Sequence, residues 1–177
     1  MKIVNTKFQG LKIIKGINHH DKRGYFRETF KNIFFKKKKF IFWCMSRSKK
    51  NVLRGLHLQS KFGQDKFISV VKGKIFDVVV DLRKNSKTFG NYITCELSKE
   101  NFKHIYIPSG FAHGFCTLED NTEVCYKTSN FYSASNEGTI AWNDKKILVN
   151  WQIPHEQLII SEKDKKGINI NDFESPF

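Results

Sequence analysis

Val52-Leu53-Arg54-Gly55-Leu56-His57-Leu58-Gln59, followed by Phe67-Ile68-Ser69-Val70-Val71-Lys72-Gly73 and Ile75-Phe76-Asp77-Val78-Val79-Val80-Asp81-Leu82, is the stretch on which the fold turns. Short runs of branched and aromatic residues are separated by a few polar or glycine positions. They are too short for helices and too apolar for loops, so they read as antiparallel strands. Around Lys72-Gly73 the chain reverses, because glycine supplies the positive φ that a tight hairpin demands. The same texture continues on both sides. Leu11 to Ile17, Tyr25 to Phe30 and Phe40 to Met45 precede it as strands. Tyr92 to Leu97, His104 to Ile107, Gly114 to Leu118 and Glu123 to Thr128 follow, with Ser98-Lys99-Glu100-Asn101 as a turn. Many short strands at even spacing predict an all-β sandwich or barrel with a few short helices. Asn150 to Phe177 reads as less regular and partly helical. No repeat, composition shift or low-complexity linker divides the chain, so residues 1–177 are expected to form one domain.

The formal charge is +14, from 31 Lys and Arg against 17 Asp and Glu. The lysines are scattered. The one dense run, Lys36 to Lys39, follows Ile33-Phe34-Phe35 in what reads as a short exposed helix. With no helix-turn-helix, zinc finger or RNA-binding sheet motif to focus the charge, a nucleic-acid partner is not expected. An anionic small molecule needs only a few of these cations, and the rest fall to solvated faces. Lys2, Asn5, Lys7 and Gln9 interrupt Met1 to Gly10, and no apolar run approaches the ~18 residues of a membrane span. A soluble, cytoplasmic protein with no membrane partner is expected. Cys44, Cys95, Cys116 and Cys125 form no C-x-x-C pair and sit in apolar runs, so they are expected to be reduced core thiols.

The spacing from His57 to His113 resembles the metal-binding cupin pattern of His-x-His, a Glu, a Gly seven residues on, and Pro-x-Gly-x-x-His. Here the positions read His57-Leu58-Gln59, Lys66, Gly73 and Pro108-Ser109-Gly110-Phe111-Ala112-His113. Gln59 is a weak ligand and Lys66 a cation that repels a divalent ion. No metal and no other cofactor is expected, and the pocket is predicted to do acid–base chemistry.

Over nearly the whole chain, in order, the motifs resemble those of dTDP-4-dehydrorhamnose 3,5-epimerases. They are Asp21-Lys22-Arg23-Gly24-Tyr25-Phe26-Arg27-Glu28, Val52 to Gln59, Phe76 to Arg83, Ile107 to Phe115 and Ser161-Glu162-Lys163-Asp164. The resemblance implies a cupin-type jelly roll, a homodimer, and cofactor-free epimerisation of a nucleotide-linked 4-keto-6-deoxy sugar. A C4 ketone acidifies the protons on C3 and C5, so inversion needs a base on one face, an enolate stabiliser and an acid on the other.

His57 is the natural base, since imidazole titrates near neutrality; by resemblance Asp164 fixes its tautomer. On its own, a histidine on an apolar strand is more often a satisfied core residue, but the cations Arg54 and Lys66 in the same sheet region favour an anionic ligand or intermediate. Lys66 shares a face with Ile68 and Val70, and alternation does not say whether that face looks inward. Tyr126 is the candidate acid, although on its own a tyrosine in Val124-Cys125-Tyr126-Lys127 more often packs in the core with its hydroxyl at the rim. The resemblance further implies Tyr132 as a second pocket tyrosine and places His113, Glu137 and Lys163 at the substrate. It also implies that Arg23 and Glu28 contact the nucleotide across the dimer.

One stretch departs from the family. Where Phe-Val-Gln-x-Asn is usual, with the amides contacting substrate, this chain has Phe40-Ile41-Phe42-Trp43-Cys44. Losing two directional donors bears on selectivity, at ~1–3 kcal/mol per unpaired group. Inversion at a single centre, and a catalytically silent sugar-nucleotide-binding cupin, therefore stay open on the sequence, with a metal dioxygenase more distant.

Overall fold

The computed structural model describes residues 1–35 and 38–177. In chain order the strands are β1 (Lys2–Asn5), β2 (Lys12–Lys15), β3 (Asn18–Asp21), β4 (Gly24–Arg27), β5 (Phe42–Ser48), β6 (Val52–Gln59), β7 (Lys66–Lys72) and β8 (Lys74–Asp81). They continue as β9 (Tyr92–Ser98), β10 (Lys103–Ile107), β11 (Phe111–Thr117), β12 (Thr122–Thr128), β13 (Glu137–Thr139) and β14 (Ile159–Ile160), and the helix α1 (Glu162–Lys165) follows. One sheet runs β1-β2-β10-β7-β12-β5; the other runs β13-β6-β11-β8-β9, with β14 added to β6 in parallel; β3 and β4 form a separate hairpin. This is the expected all-β, cupin-type jelly roll.

The apolar runs explain the layering. Ile68 and Val70 of β7, Val124 of β12 and Ile105 and Ile107 of β10 meet Ile75 and Val79 of β8 and Phe115 of β11 between the sheets. Each such side chain stabilises the fold by about 1.5–3 kcal/mol when fully buried. The opposite face of the second sheet is covered by the C-terminal segment, which seats Ile147, Trp151 and Ile170 on Leu56, Val78 and Val80. The outer face of the first sheet is capped by Phe35, packed on Phe67 and Tyr106.

Val52–Gln59 forms the strand that the sequence predicts, and the β7–β8 hairpin turns at Gly73 with φ 75°. Other expectations shift. β11 begins at Phe111, so His113 lies inside a strand and not ahead of one. A 3-10 turn, Asn32–Phe35, replaces part of the expected basic helix; Lys36 and Lys37 lie outside the described residues. β1, β3, β13 and β14 are too short, or too polar, to show a period in the sequence. The four cysteines are free thiols, but only Cys116 is buried; Cys44 is exposed because it lies on the edge strand β5 and faces a cavity. Among the described residues no helix is long and apolar enough to cross a membrane.

Candidate active site

A cavity of about 360 Å³ opens between the two sheets. His57 and Arg54 come from β6 and His113 from β11, all on one sheet; Lys66, Tyr126 and Cys44 come from β7, β12 and β5 on the other. Lys66 thus lies on the inward face with Ile68 and Val70, which settles the question that alternation left open.

Strict alternation along β6 would send Arg54 and His57 to opposite faces. The pairing with β11 shows why it does not. His57 is opposite His113 and Arg54 opposite Phe115, so three residues of β6 span what two residues of β11 span. Such a bulge re-aims side chains beside a site. Gly55 makes it possible: its φ is 120°, and a Cβ there would fall 2.6 Å from the Gly114 Cα. The Gly55 N–H donates to Asp164 Oδ2 at 3.2 Å.

His57 Nε2 lies 2.6 Å from Asp164 Oδ1. Burial alone would raise the Asp164 pKa, but hydrogen bonds from His57, Gly55 and Ser161 outweigh it and hold the carboxyl below its ordinary value. Asp164 is placed by a helix cap, since Ser161 Oγ accepts the Asp164 N–H at 3.1 Å. The residue beside it, Lys163, reaches Glu137 Oε2 at 2.6 Å, and Tyr132 donates to the same oxygen at 2.8 Å. One short helix therefore supplies both the partner of the base and a charge at the cavity rim. Burial raises the Glu137 pKa, yet these two donors bring the net shift below normal.

On the opposite wall Tyr126 Oη lies 2.9 Å from Ser46 Oγ. Burial pushes its pKa up to about 12, so the phenol holds its proton at neutral pH. Burial lowers the Lys66 pKa to about 8, against the opposing charges of Glu137 and Asp77. Its Nζ is 3.4 Å from the His57 carbonyl oxygen. Arg54 Nε donates to Ser48 Oγ at 3.1 Å.

Gln59 does not face the cavity. Its Nε2 donates to the Phe62 and Phe131 carbonyls at 2.7 and 3.3 Å, and its Oε1 accepts the Ser133 N–H at 3.0 Å, so the amide braces two loops. A divalent ion in the cavity would meet the Lys66 ammonium where a carboxylate ligand stands in the metal pattern. Arg23 and Glu28 are not brought to the cavity of their own chain. Arg23 pairs with Asp21 at 2.6 Å and Glu28 with Lys31 at 2.7 Å, on or beside the β3–β4 hairpin. One buried residue behind the cavity has no role in the sequence reading. Asp77 is fully buried and bonds His113 Nε2 at 2.7 Å. A carboxylate inside the apolar run Phe76 to Val80 was the signal.

A histidine–aspartate pair on one wall, with a protonated phenol and a lysine on the other, suits proton transfer to and from opposite faces of a carbonyl compound. The family model described as dTDP-4-dehydrorhamnose 3,5-epimerase matches residues 5–172. The chain belongs to the dTDP-4-dehydrorhamnose 3,5-epimerase family. The Shigella flexneri dTDP-4-dehydrorhamnose 3,5-epimerase is 42% identical over 94% of this chain and 94% of its own. The crystal structure of the Elizabethkingia anophelis enzyme of that name superposes with a TM-score of 0.91 at 40% identity, covering 97% of both chains. A Legionella pneumophila dTDP-6-deoxy-D-glucose-3,5-epimerase, solved in complex with dTDP-4-keto-L-rhamnose, gives 0.93 at 37% identity over 98% of this chain and 94% of its own. Family membership thus extends through the C-terminal segment that carries Lys163 and Asp164.

Proposed function

We propose that this chain, as a member of the 3,5-epimerase family, inverts C3 and C5 of dTDP-4-dehydro-6-deoxyglucose to give dTDP-4-dehydrorhamnose. The observation that carries this reading is the His57–Asp164 pair on one sheet facing a protonated Tyr126 on the other. His57 takes the proton from the carbon beside the ketone. The C–H electron pair becomes the enolate double bond, and charge moves to the ketone oxygen, which Lys66 and His113 stabilise. Tyr126 then gives its proton to the opposite face. The imidazolium loses its proton and the phenolate regains one through solvent, which closes the cycle. The same four groups serve both centres.

Arg54 offers a guanidinium for the diphosphate, and Tyr132, Glu137 and Lys163 form the rim that holds the nucleotide. We infer a homodimer in which Arg23 and Glu28 of one copy reach the cavity of the other. The exposed apolar residues Tyr25 and Phe26 on the hairpin, with Trp43, Met45 and Val71 on the outer face of the first sheet, support this assembly. Residues 1–177 act as one domain, because the C-terminal segment both completes the core and supplies Asp164. A cytoplasmic location suits a nucleotide-linked substrate.

The test is incubation of the protein with dTDP-4-keto-6-deoxyglucose in deuterated water, followed by NMR. Deuterium at C3 and C5 with inversion at both is expected. Tight binding with no exchange would overturn the reading in favour of a silent binding protein.

A further inference from the structure

Asp77 and the cavity together carry more than the residues that face the substrate. Asp77 lies on β8 opposite Phe115 of β11 and Cys95 of β9, and it is fully buried. Its Oδ2 is 2.7 Å from His113 Nε2, while Oδ1 has no hydrogen-bond partner among the described residues. His113 is directly opposite His57 across the β6–β11 ladder. Two neighbouring strands thus each present a histidine held by a carboxylate. The two pairs differ in their surroundings. Asp164 also accepts the Gly55 N–H, whereas among the described residues Asp77 has the single bond.

A buried carboxylate with one oxygen unpaired is costly, and such a cost is kept where the charge acts on something else. We propose that Asp77 is a positioning residue for the reaction: it holds His113 with Nε2–H toward itself and, from beneath the cavity, supports the Lys66 ammonium, so that both side chains are aimed at the ketone oxygen. This rests on the enolate chemistry proposed above. The charges around it are consistent with that role. Lys66 faces Asp77 and Glu137, both of which favour its ammonium form, and Cys44 of its own sheet. Tyr126 faces Arg54, Cys44 and Asp77. Cys95 is the cross-strand neighbour of Asp77 on β9, on the same face, and does not line the cavity. An enolate oxygen then forms against two side chains already held in place from below, so little reorganisation accompanies the step.

The experiment compares wild type, Asp77→Asn, His113→Asn and the double variant on dTDP-4-keto-6-deoxyglucose over a range of pH. For Asp77→Asn, kcat is expected to fall tenfold or more with KM nearly unchanged. The alkaline limb of kcat should move to lower pH by roughly half a unit or more, because the charge that favours the Lys66 ammonium is gone. The double variant should lose little beyond His113→Asn. A kcat within twofold of wild type, or a fall in kcat with the limb in place and losses that simply add, would overturn the proposal. If Asp77→Asn does not fold, ring-nitrogen NMR of wild-type His113 reads the same link: Nε2 is expected to be protonated, and a neutral Nδ1–H tautomer would overturn it. A wild type that exchanges no deuterium at all would remove the enolate reading itself and this inference with it.

Discussion

Asp77 and Asp81 lie on one strand, four residues apart, and both are fully buried. Asp81 is saturated. It accepts from the Arg83 N–H, Nε and Nη2 at 3.0, 2.8 and 2.6 Å, and from the Ser86 and Thr88 hydroxyls at 2.6 Å each. Burial raises its pKa, but these donors more than reverse that and bring it down to about 2. Among the described residues Asp77 has one partner and one unpaired oxygen. A hollow of about 570 Å³, larger than the cavity at His57, lies over the Asp81 knot, lined by Arg83, Ser86 and Thr88 with Lys7 and Lys87. Size does not make it a site: Arg83, Ser86 and Thr88 are already spent on Asp81. The cavity at His57 is smaller, but its charged groups remain available to a ligand. A satisfied carboxylate holds the fold; an unsatisfied one is held by the fold for use.

The comparison breaks most visibly at His57. Replacing it with alanine should lower kcat by about 10²–10⁴-fold, the range of a general base, while circular dichroism stays that of wild type. A variant with full activity would remove His57 from the base role.

Lys66→Met comes next, with effects of opposite sign on activity and stability. Turnover should fall, since the enolate loses its cation. Stability at pH 7 should rise by at most about 3 kcal/mol, because the Lys66 pKa is lowered from 10.5 to about 8 by burial. A lysine with a depressed folded pKa destabilises the fold below that value. The penalty disappears as pH rises from about 8 to 10.5, so the gain should shrink at pH 10. Urea titrations at the two pH values check this.

Asp81→Asn should do the reverse: no change in kcat, and a loss of about 2 kcal/mol at pH 7. Its lowered pKa means that its contribution is fully present above pH 3.8 and fades as pH falls toward 2. Wild type and variant should therefore converge in acid. A kcat effect larger than twofold would erase the distinction between knot and cavity.

Phe42→Gln with Cys44→Asn should give the smallest change. Both side chains line the cavity, and Cys44 is directly opposite Tyr126 across β5 and β12. Restoring amides is expected to shift KM severalfold at nearly constant kcat, since the proton-transfer groups are untouched.

The β6 to β8 region was legible because its apolar runs and Gly73 leave few alternatives. His57, Lys66 and Tyr126 stood out as candidates, but on the residues alone Lys66 could have faced either way and Tyr126 read as core; the resemblance raised both, and the cavity brings all three together. What was not legible was the face each would take at Arg54, because the β6 bulge depends on how Gly55 packs on Gly114, a contact between strands distant in sequence. Asp164 could be reached only through resemblance, since 107 residues separate it from His57. Asp77 carries the mark of a carboxylate in an apolar run, but Asp81 carries the same mark; only the hydrogen-bond partners of each in the folded chain separate the two.

Tyr126→Phe in deuterated water, with dTDP-4-keto-6-deoxyglucose and NMR at C3 and C5, tests the two-wall account most directly. The account predicts that His57 still removes and returns protons on its own face, so deuterium enters with configuration retained while inversion is lost. Inversion at the wild-type rate would contradict the account, as would equal loss of exchange and inversion, since either would mean that Tyr126 is not the acid on the opposite face.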